Sequence, residues 1–380
     1  MAGREALGAA DVTDDRLAAM VAMQLRVPEV ELLTSDAEVA PYDLEALTTA
    51  GRYWVRGTAR HDGGDAPFAF FVKVVQSWSR SPIFAYVPEE MREAALAAMP
   101  WEREPRIYAS DLGDRLPGGL SMPRAYAVEP VDELSAAVWL EAVDVDPVRW
   151  DVERFTRASH LLGRLAASDR VAPLGALGEV PDIARSYYFG RFEGQVLPLL
   201  GDDEVWRHPV VAATFDDRLR DDMRAAAESL LGRLVELDDV PVLTLHGDAC
   251  TRNLLVRRGR DDGFVLIDFG FWGRGPVGYD LTQLLIGEVQ MGERPASELP
   301  ALEAACLPAY VDGLRAEGVD VDLDLVRRAH ALMMLLFTGL SALPVELLDG
   351  PPTDDRVRIA RERAGAARFM LDLADATAPV

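Results

Sequence analysis

The chain has 380 residues, 49% of them hydrophobic, and a formal net charge of −24. That length exceeds what a single core usually fills, and that apolar content excludes a disordered chain, so two packed units are expected. So acidic a protein is a poor match for nucleic-acid phosphates or an anionic membrane surface, whereas a cationic small molecule would be drawn to it; the same charge also serves as an ordinary solvated surface.

In chain order, the opening MAGREALGAADVTDD has no apolar signal core, and residues 14–26 read as a short amphipathic helix. From Tyr42 to Val75 the pattern turns strand-like. YDLEALTT, RYWVRGTAR and PFAFFVKVV are separated by turn residues that include His61-Asp62-Gly63-Gly64, which predicts an antiparallel meander. Its third strand carries Lys73, the one lysine among 39 basic residues. A lysine kept where arginine is otherwise universal suggests a place that needs a compact ammonium on a thin stem. In an apolar strand it also needs a negative partner. Helices are expected near 88–98 and 101–110, the second complicated by Pro105, followed by strands in RAYAVEP and AAVWLEAV.

After Asp144 the period changes, with helical patterns over 151–168, 217–237, 296–317 and 324–343. The most apolar stretch, Ala331 to Leu348, contains Pro344 and Glu346 and reads as a buried helix, not a membrane span. Cys250 and Cys306 have no disulfide or zinc spacing, which fits a reducing cytoplasm. The expected architecture is therefore α+β. A β-rich N-terminal lobe (1–143) is followed by a mostly α-helical C-terminal lobe (144–380), with a ligand cleft between them.

One strand-rich island interrupts the helices: VPVLTLHGDACTRNLLVRRGRDDGFVLIDFGFWG, from Val240-Pro241 onward. A short strand, Val242 to Leu245, ends at His246-Gly247-Asp248, and Asn253 follows five residues after Asp248. NLLVRR and GFVLIDF then form a hairpin about Gly259–Gly263 that ends at Asp268-Phe269-Gly270. The hairpin returns Asp268 beside the first loop. Two carboxylates and an amide oxygen converge, a set of hard oxygens suited to Mg²⁺ shared with phosphates, with one carboxylate left to accept a hydroxyl proton. His246 is expected to brace this loop by hydrogen bonds.

HGDACTRN followed by IDFG resembles the catalytic and metal loops of the aminoglycoside phosphotransferase and choline kinase-like family, relatives of the protein kinases. The resemblance implies a two-lobed protein-kinase-like fold and an ATP-dependent kinase that phosphorylates a hydroxyl of a small molecule, an antibiotic or a metabolite. It implies Asp248 as the residue that orients or deprotonates the acceptor, and Asn253 and Asp268 as metal ligands. Lys73 would hold the nucleotide phosphates, paired with Glu104, for which Glu102 is the rival. WLEAV, residues 139–143, resembles the segment linking the lobes, so backbone groups at Glu141 and Val143 would meet adenine. Asp280, in GYDLTQLL, resembles a family Asp that stiffens the loop, although a helix cap is nearly as good a reading. Two departures stand out. The loop middle is Ala249-Cys250-Thr251-Arg252, so Cys250 and Arg252 are candidates to face the acceptor. The nucleotide-covering loop near Thr48-Thr49-Ala50-Gly51 has one glycine. Segments 187–194 and 201–206 are assigned to the acceptor pocket by elimination. The tryptophans, Trp272 included, are expected in the core.

Two other classes compete. A nucleotide-binding pseudokinase with a regulatory role would leave this residue set unused, and a metal-dependent hydrolase would leave Lys73 unexplained. A protein kinase fits less well, since the loop reads HGD and no APE-like segment follows Asp268.

Overall fold

Alternation of period two builds the N-terminal sheet. The computed structural model describes residues 3–42, 46–178 and 182–379. Strands β1 (Glu31–Val39), β2 (Thr49–His61), β3 (Gly64–Gln76), β5 (Ala125–Asp132) and β6 (Ser135–Glu141) form an antiparallel sheet in the order β1-β2-β3-β6-β5. Phe70, Val72 and Val74 of β3 point to one face, where with Val55 and Trp139 they bury Leu17, Met20 and Val21 of helix α1 (Asp14–Leu25). Thr13 caps α1 by accepting from the Arg16 amide, and Asp14 and Asp15 complement the helix dipole. The intervening residues Phe71, Lys73 and Val75 therefore face the other way, toward the second core.

The first strand of the meander differs from expectation. It is Glu31–Val39, not YDLEALTT, of which residues 43–45 lie outside the described residues. ELLTSDAEV is half-exposed at the sheet edge, so its polar alternation hides a strand that long-range pairing with β2 creates. Lys73 remains on the third strand.

Between the sheet strands lie α2 (Arg92–Ala98), α3 (Arg103–Ala109) and α4 (Leu112–Arg115), then the short β4 (Leu120–Ser121). Pro105 is tolerated because it falls in the first turn of α3, where backbone N–H groups have no helical partner. Residues 142–151 lead to α5 (Val152–Ala167), capped by Asp151. The helical half continues through α6 (Ala172–Gly175), α7 (Ile183–Tyr187), α8 (Leu197–Gly201), α9 (Asp203–Arg207), α10 (Pro209–Ala212) and α11 (Asp217–Arg233). It resumes after the strand island with α12 (Tyr279–Gln290), α13 (Leu299–Ala316), α14 (Leu323–Met334) and α15 (Asp354–Ala376).

Helix α15 has no counterpart in the sequence reading. Its packed face is largely alanine (Ala360, Ala364, Ala367, Ala374), which buries well but leaves a faint hydrophobic period. The apolar stretch from Ala331 ends α14, runs through a wide π-turn (Leu335–Gly339) and is buried there. No described helix is long and apolar enough to cross a membrane. The result is a β-rich N-terminal lobe on a helical C-terminal lobe.

Candidate active site

The strand island forms the floor of the site. Strand β7 (Val242–Leu245) pairs with β10 (Gly273–Pro276), and β8 (Leu254–Leu255) pairs antiparallel with β9 (Phe264–Leu266) as the predicted hairpin. Ile267 donates its amide to the Asn253 carbonyl at 3.1 Å, so the chain leaving β9 runs beside the 246–253 loop. This return brings Asp268 to Asp248 and Asn253.

The loop is braced from beneath. The backbone amides of His246 and Gly247 each donate to a carboxylate oxygen of Asp280 at 2.9 Å. Asp280 is free to do so because the N-cap of α12 is Gly278, which has no side chain. Of the two readings of Asp280, the loop brace is therefore the one observed, and burial pushes its carboxyl up to about 6. His246 is fully buried. Its Nδ1 accepts from the Asp248 amide (3.3 Å), which leaves the Nε2 proton to donate to the Ile267 carbonyl (3.1 Å). Burial lowers its pKa to about 4, so the ring is neutral at ordinary pH and holds the loop without carrying a proton.

Gly247 has φ +88°, and a Cβ there would lie 2.0 Å from the Phe271 carbonyl oxygen. Gly247→Ala is accordingly expected to lose about 2 kcal/mol or more, from strain and backbone collision together. Urea unfolding checks this; an unchanged midpoint would show that the loop does not lie against Phe271.

Asp248 is held by Asn253, whose Nδ2 donates to both the Asp248 carbonyl and its Oδ2 at 2.9 Å. Both amide hydrogens are thus used, and the Asn253 Oδ1 remains for another partner. Burial, with the nearby charge of Asp268, raises the Asp248 carboxyl to about 6, against hydrogen bonds from Asn253 and the Cys250 thiol. The Cys250 thiol is itself pushed up to about 12 by burial and by Asp248, which leaves it a hydrogen-bond donor with no thiolate character. Arg252 points elsewhere, to an ion pair with Glu293 at 2.5 Å.

Across the cleft, the Lys73 ammonium lies 2.8 Å from each Glu104 carboxylate oxygen and 3.1 Å from Asp268 Oδ1. Glu104 on α3, 1% exposed, is therefore the partner, while Glu102 sits at the N-cap of that helix. Burial disfavours the ammonium, but Asp268 and Glu104 outweigh it and raise the Lys73 pKa. Burial likewise works against the Asp268 carboxylate, and Lys73 reverses that and lowers it. Glu104 is pushed up by burial against the pull of Lys73. Asp268 itself adopts a left-handed backbone (φ +64°), which turns its side chain out of the strand direction.

Glu141 ends β6. Its amide donates to the Arg124 carbonyl (2.8 Å), and its carboxylate pairs with Arg257 at 2.5 Å. Val143 lies two residues on, in the coil. Of the segments assigned to the acceptor pocket, Tyr187 packs at a tilt against Phe337 (4.2 Å between centroids, 37° between planes), which also meets Tyr279. The charge of Asp248 and the hydroxyl of Tyr187 are both felt at Tyr279, so this aromatic group adjoins the 246–253 loop. Trp206 instead packs on Phe215 and bonds the Leu200 carbonyl. Trp272 is fully buried and donates to the Leu174 carbonyl, a core residue.

Two arginines were not singled out from the sequence. Arg103, 3% exposed, donates to the Gly270 carbonyl (2.9 Å) and ties α3 to the Asp268 loop. Arg52 lies opposite Lys73 in the β2·β3 register. Neither had a sequence signal beyond adjacency to a predicted residue, Glu104 in one case and Gly51 in the other.

Among the described residues, no three His, Cys, Asp or Glu side chains form an all-protein metal cage. The oxygen donors present, Asn253 Oδ1 and the Asp268 carboxylate, fit a hard divalent ion that takes its other ligands from phosphates and water.

A sequence model of the phosphotransferase enzyme family matches residues 87–316, more than half of the chain. No curated protein matches the sequence. Among solved structures, a Ralstonia eutropha JMP134 protein put forward as an aminoglycoside phosphotransferase is 13% identical over 96% of this chain and 98% of its own, with a TM-score of 0.50. An aminoglycoside phosphotransferase from Alicyclobacillus acidocaldarius is 14% identical over 89% of this chain and 97% of its own, with a TM-score of 0.49. The amicoumacin kinase hAmiN, in complex with AMP-PNP, Ca²⁺ and Ami, is 16% identical over 88% of each chain, with a TM-score of 0.47. At 13% identity the likeness to the Ralstonia protein concerns the fold alone. The family match and the convergence of Lys73, Glu104, Asp248, Asn253 and Asp268 in one cleft agree, and the chain belongs to the phosphotransferase enzyme family.

Proposed function

We propose that the protein is an ATP-dependent small-molecule kinase that transfers the γ-phosphoryl group to a hydroxyl of an antibiotic or metabolite. The observation that carries this reading is the Lys73 ammonium bridging Glu104 and Asp268, on the wall opposite a half-buried carboxylate held by Asn253. The lobes would meet at the linker after Glu141, dividing the chain near 143–144, with the Glu141 carbonyl and the Val143 amide left to read adenine. The two free cysteines suit a reducing cytoplasm.

Each group has a part. Asp248, aimed by Asn253, accepts the acceptor's proton or fixes its hydroxyl for in-line attack. Lys73 offers the nucleotide phosphates the N–H donors that Glu104 does not hold, and Glu104 keeps it extended and charged. Asn253 and Asp268 would hold Mg²⁺, which supplies neutralisation of the phosphate charge. Tyr279, Tyr187 and Phe337 present an aromatic wall beside Asp248. With the acidic surface, that wall favours an acceptor carrying a cationic or apolar group near its hydroxyl.

The test is acceptor-dependent ADP release across a panel of hydroxylated antibiotics and metabolites. Nucleotide bound without turnover on any acceptor would point to a regulatory binding protein instead. With a substrate in hand, kcat/KM should fall as the pH drops through about 6, because the free-enzyme Asp248 must be ionised to act and its raised pKa brings protonation into that range. A profile flat down to pH 5 would exclude that role.

A further inference from the structure

The cleft is short of positive charge. Asp248, Asp268 and Glu104 face the single ammonium of Lys73, yet the site must take a polyanion. The segment expected to cover the phosphates, Thr48 to Gly51, belongs instead largely to strand β2, where Gly51 pairs with Val74, and the connection before it, residues 40–48, has no glycine in its sequence, so a glycine-rich cradle of backbone amides is lacking.

The residue after that glycine is Arg52. In the antiparallel β2·β3 register Arg52 stands directly opposite Lys73. Opposed residues share a face, with Cβ atoms about 5 Å apart. Tyr53 and Val55, its odd-numbered neighbours, pack with α1 on the far face of the sheet, so alternation sends Arg52 into the cleft. Trp54, the next residue on the cleft face, meets Phe71 at 4.9 Å. The positive charge of Arg52 is felt at both Glu104 and Asp268. Among the described residues its guanidinium has one close partner, the Tyr42 ring, 3.6 Å from its centroid. A stacked guanidinium keeps its edge N–H donors free.

We infer that Arg52 is a second nucleotide-binding cation, held against Tyr42 and directed at the polyphosphate in place of a glycine-rich cradle. This rests on the nucleotide-binding reading above and adds to it a residue that nothing else assigns. A planar fork suits phosphate oxygens, whereas the narrow slot at Lys73 suits an ammonium, so the two cations divide the work by shape.

The experiment is nucleotide binding by the full-length protein with Mg²⁺. Calorimetry is used for ATP and ADP, and displacement of a fluorescent ATP analogue for adenosine, on wild type, Arg52→Gln and Arg52→Lys. Unfolding midpoints are measured in parallel. Arg52→Gln should bind ATP and ADP about tenfold more weakly, the size of one lost charged hydrogen bond, with adenosine affinity unchanged. Arg52→Lys should recover part of the loss. ATP affinity equal to wild type in Arg52→Gln, or a loss of the same size for adenosine, overturns the inference, the second by showing a structural role. A wild-type protein that binds no ATP is a different result: it removes the proposed function, and this inference with it.

Discussion

Replacing Asp248 by asparagine is expected to lower kcat by about 10³-fold while nucleotide affinity stays as in the wild type. Asparagine keeps the shape and still accepts the Asn253 Nδ2 hydrogen bond through its own carbonyl oxygen. What it loses is the negative charge that draws the acceptor's proton. Because burial raises the Asp248 carboxyl to about 6, it is ionised at neutral pH only at a cost to the stability of the fold, and the neutral variant should melt no lower than the parent. Paired kcat and thermal-melt measurements separate chemistry from folding. Full turnover in Asp248→Asn would remove this residue from the mechanism.

The second large effect is at Lys73. Its side chain is 6% exposed and contacts two carboxylates, one of them enclosed. Lys73→Met removes the cation in contact with Glu104 and Asp268, and breaking a buried pair by removing one partner costs about 3–5 kcal/mol. Lys73→Arg keeps the charge but asks a wide fork to enter a slot beside Val75, Val138 and Leu140. Both variants should lose phosphoryl transfer. The arginine variant should lose it with less unfolding than the methionine one, as read by urea midpoints alongside kcat. A Lys73→Arg enzyme with full activity would mean that any cation serves there and that the lone lysine is incidental.

These two residues show how uneven the legibility of the chain is. The HGDACTRN and IDFG spacings are local, and a hairpin between them has few ways to close, so the approach of Asp268 to the 246–253 loop could be read ahead of any coordinates. The helices over 152–167, 217–233, 299–316 and 323–334 carry wide apolar stripes and were equally legible. The edge strand at 31–39 and the alanine-faced α15 were not, because an exposed edge and a small-residue face both weaken the hydrophobic period on which such reading depends. Asp280 was ambiguous for another reason. An Asp near a helix start can cap that helix or reach past it, and only the glycine at the N-cap, with two loop amides in range, shows which happens here.

By itself the sequence determined the chemistry available: which side chains exist, that lysine occurs once, and that an Asp, an Asn and a second Asp follow one another across a hairpin. Tertiary structure alone decided the partners. It chose Glu104 over Glu102, set Arg52 against Lys73, tied Arg103 to Gly270 and put Asp280 under the loop. The reason is that a local period reports which face of an element is apolar, whereas the identity of the group opposite depends on how elements distant in sequence are rotated and shifted against one another. That docking is selected by the packing of both cores together, and no single segment encodes it.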